Sequence, residues 1–178
     1  MSTSPVTLPQ PPVTLPQQLF FKDDGHIPNS PLPVLFYHQV QLDGADKAAA
    51  FEALFSANQW PAQWRAQVFD YHHYHSNAHE VLGVVSGQAR LMLGGPAGME
   101  LEVEKGDVLV LPAGTGHCSL EQSQDFLVVG GYPQGQENYD IQRPDPASHD
   151  DSVARIADVA RPPADPVHGE DGPLPGLW

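Results

Sequence analysis

Four of the nine histidines crowd into the stretch Tyr71-His72-His73-Tyr74-His75-Ser76-Asn77-Ala78-His79-Glu80. An imidazole offers a neutral nitrogen donor near neutral pH, so several aimed at one point make a site for a divalent ion. Side chains on a β-strand alternate with period two; His73 and His75 therefore share one face, and His72 and Tyr74 take the other. Glu80 lies an odd number of residues beyond His75, so an uninterrupted strand would aim it away. Ser76-Asn77 is turn-forming chemistry at the right place to bend the chain, after which Glu80, Leu82 and Val84 share an inward face. Without that bend His79 would be the third ligand instead. Downstream, the stretch from Gly106 to His117 reads as a strand entering the glycine turn Pro112-Ala113-Gly114-Thr115-Gly116, which delivers one more imidazole, His117. A lone His-x-His pair on a strand is more often a hydrogen-bonding pair than a ligand set; Glu80 and His117 are what raise it above that.

Other side chains carry weaker signals. His72 and His79 fit roles around the ligands or at the surface. Cys118, next to His117, points to the opposite side of a continuing strand and suits packing better than nucleophilic chemistry. As the one cysteine it excludes an internal disulfide and any multi-thiolate metal site. Tyr71, Tyr74, Trp60, Trp64 and Phe69 are candidates for lining an apolar pocket or for filling the core. Arg90, one of two basic residues between Lys47 and Lys105, anchors a substrate carboxylate if its strand turns it inward and is a surface charge otherwise.

The elements that must position these groups are short. Nineteen prolines and sixteen glycines in 178 residues disfavour a helical bundle and favour strands joined by turns. From Gln67 to Tyr132 the pattern predicts strands at Phe69 to His75, Glu80 to Val85, Ala89 to Leu93, Met99 to Glu104, Asp107 to Leu111, His117 to Leu120 and Phe126 to Val129, with glycine-bearing turns between them. We divide the chain into a proline-rich disordered arm over 1–19, which carries the near-repeat Pro5 to Gln10 and Pro12 to Gln17, N-terminal strands and a helix packed on the barrel over 20–66, the barrel core with the metal site over 67–132, and an acidic extension with one helix over 133–178. Phe20-Phe21 and Pro33 to Tyr37 read as edge or entry strands. The first helix is expected over Asp46 to Asn58, capped by Asp46 and striped by Ala50, Phe51, Leu54 and Phe55. The second is expected from about Asp150 to Ala160, striped by Val153, Ile156, Ala157 and Ala160 and stopped by Pro162-Pro163. Trp178 is a candidate anchor for the closing segment.

At these residues the sequence resembles the cupins. Their first motif, loosely G-x5-HxH-x4-E-x6-G, is met by His73, His75, Glu80 and Gly87; their second, G-x5-PxG-x2-H-x3-N, by Gly106, Pro112, Gly114 and His117. Gln67 stands where the first glycine belongs and Glu121 where the final asparagine belongs. More narrowly the chain resembles the bacterial YjlB-type cupins, through His73 to Val84, Gly106 to His117, Asp125 to Gly130 and the run beginning at Asp165. The resemblance implies an all-β fold, a single double-stranded β-helix or jelly-roll barrel with short flanking helices. It implies that His73, His75, Glu80 and His117 bind one divalent ion (Fe, Mn, Ni, Co or Zn), with His72, His79, Tyr71 and Arg90 around it or in the substrate pocket.

A formal charge of −14 repels phosphate backbones and anionic lipid surfaces, so neither nucleic acid nor a membrane is an expected partner. No apolar run is long enough to span a bilayer and the first residues do not read as a secretion signal, which makes the cytoplasm the expected location. The expected function is a metal-dependent cupin enzyme of dioxygenase or isomerase type, acting on a small oxygenated or carboxylate-bearing molecule. The alternative is a module that binds metal or a small molecule without turnover. Exposed barrel edges, which cupins often cover by pairing, make a homodimer the expected assembly.

Overall fold

A computed structural model describes residues 13–178. Among the described residues nine strands run in chain order as β1 (Gln17–Leu19), β2 (Val34–Tyr37), β3 (Ala62–Ala66), β4 (Glu80–Ser86), β5 (Gln88–Leu93), β6 (Met99–Glu104), β7 (Val108–Leu111), β8 (His117–Gln122) and β9 (Leu127–Gly131). Six form one antiparallel sheet in the order β1-β2-β7-β4-β9-β3, and three form a second in the order β6-β5-β8. Three helices accompany them: α1 (Lys47–Ala57), α2 (His149–Ala157) and α3 (Leu174–Leu177). The fold is therefore all-β with short flanking helices. Among the described residues no helix is long and apolar enough to cross a membrane.

The chain passes from the large sheet to the small one through Gly87, whose φ of +73° is a conformation that favours glycine, and a β-carbon there would lie 2.7 Å from the backbone nitrogen of Phe126. Alternation then sorts the side chains. Leu82 and Val84 of β4, Ala89, Leu91 and Leu93 of β5, and Leu109 and Leu111 of β7 point between the sheets with Val103, Phe126 and Val128. Val81, Val108, Val110 and Val129 point the other way, into a second apolar layer with Phe51, Phe55, Trp60, Leu174 and Trp178. Because β4 and β7 are covered on both faces, they read as unbroken apolar runs rather than as polar-apolar alternation.

α1 lies over the second layer. Asp46 caps it by accepting the backbone N–H of Ala49 at 3.1 Å, and Phe51 and Phe55 are fully buried, each contributing about 1.5–3 kcal/mol of burial free energy. The C-terminal segment closes the same layer. The indole N–H of Trp178 donates to the carbonyl of Pro33 at 2.9 Å and that of Trp60 to the carbonyl of Ala164 at 2.8 Å. Buried Asp165 accepts from the backbone N–H groups of Val167 and His168 at 2.8 and 3.0 Å, and from the hydroxyl of Tyr37.

Several expectations differ from the structure. Residues 1–12, which hold most of the expected arm, lie outside the described residues; within the remainder Gln17–Leu19 is a strand paired with β2, not an unstructured tail. The edge or entry strand expected at Phe20-Phe21 is absent for the same reason: pairing with β2 ends at Leu19. β3 goes beyond the expected strands, although its residues Ala62-Gln63-Trp64-Arg65-Ala66 alternate apolar with polar. The continuous strand expected over Phe69 to His75 is reduced to single bridges, His73 with His117 and Tyr74 with Gln142, because successive residues bond to different neighbours. In α2 the expected stripe is not the buried face: Val153 is 40% exposed, while Ser152 is buried and accepts the hydroxyl of Tyr74 at 2.9 Å.

Candidate metal centre

The three histidines converge from two pieces of backbone. His73 and His117 are tied by reciprocal N–H to carbonyl bonds of 3.2 and 2.9 Å, which sets their ring centroids 4.1 Å apart. The Gly114 N–H donates to the carbonyl of His75 at 2.8 Å and pins the turn that delivers His117. Gly114 has φ +96°, and a β-carbon there would sit 2.4 Å from the carbonyl oxygen of Asn29. One ligand atom from each of His73, His75 and His117 lies within 4.8 Å of the others, and all three residues are buried.

Each ring is held at its Nδ1. That of His73 meets the carbonyl of Tyr71 at 3.1 Å, that of His117 the carbonyl of Thr115 at 3.0 Å, and that of His75 the carbonyl of Asp140. A carbonyl only accepts, so each Nδ1 carries the proton and each neutral ring keeps its lone pair on Nε2.

Glu80 faces two of these lone pairs. Its Oε2 lies 3.0 Å from Nε2 of His75 and its Oε1 lies 3.2 Å from Nε2 of His117, yet Oε1 is buried without a hydrogen bond. Burial opposes a charge on Glu80, but the imidazoles of His75 and His117 hold its carboxyl well below the usual carboxylate range. Burial likewise opposes a charge on His75, and the adjacent Glu80 overrides it and raises that imidazole above its ordinary value. His73, buried and beside His117, is pushed down to about 3. Three imidazoles whose ligand atoms cluster, with the carboxylate of Glu80 against two of them and one of its oxygens orphaned, are a donor set that fits a divalent cation.

The bend that turns Glu80 inward falls at Ser76-Asn77 and is built from outside the barrel. Asp140 accepts the Ser76 N–H at 2.6 Å and the Ser76 hydroxyl, Arg155 donates its Nε–H to the Ser76 oxygen at 2.8 Å, and Asn77 accepts the Asp140 N–H at 2.9 Å. His79 turns away: its Nδ1 accepts the N–H of Ala113 at 2.9 Å and its ring packs on Trp178. Burial pushes it down to about 4.

Above the centre lies a cavity of about 170 Å³, walled by Trp64, Val68, Phe69, Leu82, Tyr132 and Ile141 together with the site residues. Tyr132, Tyr139 and Asp140 were not anticipated. Tyr132 donates its hydroxyl to Oε2 of Glu80 at 2.7 Å, accepts the indole N–H of Trp64 at 2.9 Å and stacks on Tyr139 at 4.1 Å. Alternation along β9 points to Tyr132, since Val128 faces the same core; nothing local points to Tyr139 or Asp140.

The remaining candidates fall elsewhere. Arg90 does not enter the site: Ala89 and Leu91 take the inward positions of β5, so Arg90 points outward and pairs with Glu100 at 3.2 Å and Glu121 at 3.5 Å. Tyr71 stacks on Phe69 at the rim, with the Arg143 guanidinium 4.1 Å above its ring, and does not line the cavity. His72 points toward the sulfur of Cys118, 3.9 Å away, not toward the ligands. Trp60 and Tyr74 are core residues.

A family model described as Cupin matches residues 71–144. The chain is 39% identical over 163 residues to the uncharacterized protein YjlB of Bacillus subtilis, covering 91% of this chain and 96% of that one. Among solved structures it is similar to a DUF861 family protein from Thermotoga maritima, with 20% identity, 52% of this chain and 98% of that one covered, and a TM-score of 0.32. It is also similar to an acireductone dioxygenase from Bacillus anthracis with a cadmium ion in its active centre, with 18% identity, 61% and 53% covered, and a TM-score of 0.30. A third likeness is to an oxalate decarboxylase variant from Bacillus subtilis, with 20% identity, 66% and 29% covered, and a TM-score of 0.33.

Proposed function

The chain belongs to the cupin family, within its YjlB type, and from that premise we propose that it is a metal-dependent enzyme acting on a small oxygenated molecule, in a reaction of the dioxygenase or isomerase kind. The observation that carries this is the locking of three Nδ1 atoms onto backbone carbonyls, which leaves three clustered Nε2 lone pairs free, two of them against the buried carboxylate of Glu80, whose Oε1 has no hydrogen bond. His73, His75, Glu80 and His117 would hold the ion, and three nitrogens with one oxygen suit Fe, Mn, Ni, Co or Zn.

When bound, the ion supplies Lewis acidity or, if it is redox-active, a site for oxygen chemistry. The protein's own part is positional. The carbonyls of Tyr71, Asp140 and Thr115 fix the tautomer and rotation of the ligand rings. Tyr132 holds Oε2 of Glu80, which leaves Oε1 to face the centre. Burial around Tyr132, with Glu80 beside it, raises its phenol so that the proton stays on oxygen. Trp64, Phe69 and Leu82 exclude water from one side of the cavity.

Elemental mass spectrometry on untagged protein tests this, alongside the His73→Ala/His75→Ala double variant. Near-stoichiometric metal that disappears in the variant is the expected result; wild-type protein that takes up no metal on reconstitution near neutral pH ends the reading. Pairing of two copies along a sheet edge belongs to the same proposal, and light scattering that finds a monomer at working concentration would refute it.

A further inference from the structure

We propose that the molecule taken by this centre is an apolar, ring-sized compound bearing a single oxyanion-forming group, such as a phenol, a cyclic enol or an aromatic monocarboxylate, and not a dicarboxylate or a phosphate. The inference rests on the metal-dependent function proposed above and narrows its substrate class.

Size comes first. The cavity of about 170 Å³ is close to the ~150 Å³ of an engineered apolar cavity known to hold benzene. Its wall comes next. Trp64, Val68, Phe69, Leu82 and Ile141 give aromatic and aliphatic surface, and Phe69 and Ile141 are each 46% exposed at the rim. Large apolar groups left open beside a cavity are explained by a ligand that covers them.

Charge decides the rest. A divalent ion with one carboxylate ligand and three neutral imidazoles leaves a single net positive charge, which one oxyanion balances. Among the described residues no lysine or arginine lines the cavity to meet a second one. Arg90 is paired with Glu100 and Glu121 outside the barrel, and Arg143 is held over the Tyr71 ring. Of the polar groups nearby, Tyr132 both donates and accepts, the Gln67 amide donates to the carbonyls of Ser123 and Gln124, and Tyr139 offers only a neutral hydroxyl. A second anionic group would thus meet no cation at the cavity to offset its desolvation. The chain's charge of −14 adds long-range repulsion to polyanions.

Calorimetric titration of zinc-loaded wild-type protein with acetate, benzoate and terephthalate separates these points. Benzoate is expected to bind at least tenfold more tightly than acetate, through the ring, and at least tenfold more tightly than terephthalate, whose second carboxylate has no cation to meet. The variant Ile141→Lys, changed at an exposed rim position, is expected to narrow the terephthalate deficit several-fold. Acetate or terephthalate binding as tightly as benzoate would overturn the assignment. Failure of the metal reading shows separately, as wild-type protein that holds no metal by elemental analysis. Phenol added to that metal-free protein then decides the cavity, saturable binding upholding a ring-sized apolar pocket and no binding overturning it.

Discussion

The hydroxyl of Tyr132 sits 2.7 Å from Oε2 of Glu80 and is itself held by the indole of Trp64 at 2.9 Å, so two strands and an aromatic clamp fix one buried carboxylate. Tyr132→Phe leaves the Trp64 N–H and Glu80 Oε2 short of a partner. We expect a loss of about 1–3 kcal/mol in unfolding free energy and roughly 10- to 100-fold in metal affinity. Denaturant melts and competition with a chelating dye measure the two; unchanged metal affinity would reduce Tyr132 to a packing role.

Removing the metal should cost stability. An ion that binds only the folded chain at 100 times its dissociation constant adds about 2.7 kcal/mol. Chelation should therefore lower the melting temperature of wild-type protein, and His117→Ala should melt at one temperature with or without chelator. Equal chelator shifts in both proteins would place the metal elsewhere.

Gly114 has a positive φ and faces the Asn29 carbonyl with no room for a β-carbon. Gly114→Ala combines backbone strain with a contact the backbone must yield to, at a cost of roughly 2–4 kcal/mol. Because this turn delivers His117, metal content should fall with stability. A variant as stable as wild type in urea would contradict the geometry.

Acid should destabilise the metal-free protein well above the carboxylate range. Burial and His117 push His73 down to about 3, and burial pushes His79 down to about 4, from an ordinary 6.5. Between those values and 6.5 the unfolded chain takes up protons that the folded chain refuses, so stability falls with falling pH by up to about 1.4 kcal/mol per unit for each group. His75 is raised instead, so its contribution is complete below 6.5 and is lost only as pH rises through its folded value. Melting temperatures measured from pH 7 to pH 5 should decline, and the decline should be shallower in His79→Asn. A flat profile would show that the burial of these rings is relieved in solution.

Asp140 ties the bend at Ser76 and the ring of His75 to the C-terminal extension. Asp140→Ala keeps the carbonyl that holds His75 but frees Ser76. Metal affinity should weaken by about tenfold, the lower range for a group supporting a ligand, while the barrel melts cooperatively. Affinity equal to wild type would mean that the bend at Ser76-Asn77 holds without the carboxylate.

The sequence by itself carried the strands β4 to β9 to within two residues, α1 with its Asp46 cap, and the segment on which the histidines and Glu80 stand. Those features are local: alternation, a cap and turn-forming residues act over a few residues whatever the rest of the chain does. The tertiary structure decided what local pattern cannot encode. Asp140 reaches Ser76 across 64 residues of chain and Tyr132 reaches Glu80 across 52, contacts fixed by how the C-terminal extension and β9 pack, not by any motif. Arg90 pointed outward because the core fills the inward positions of β5 with Ala89, Leu91 and Leu93, and in a strand the register of one residue settles the face of every other.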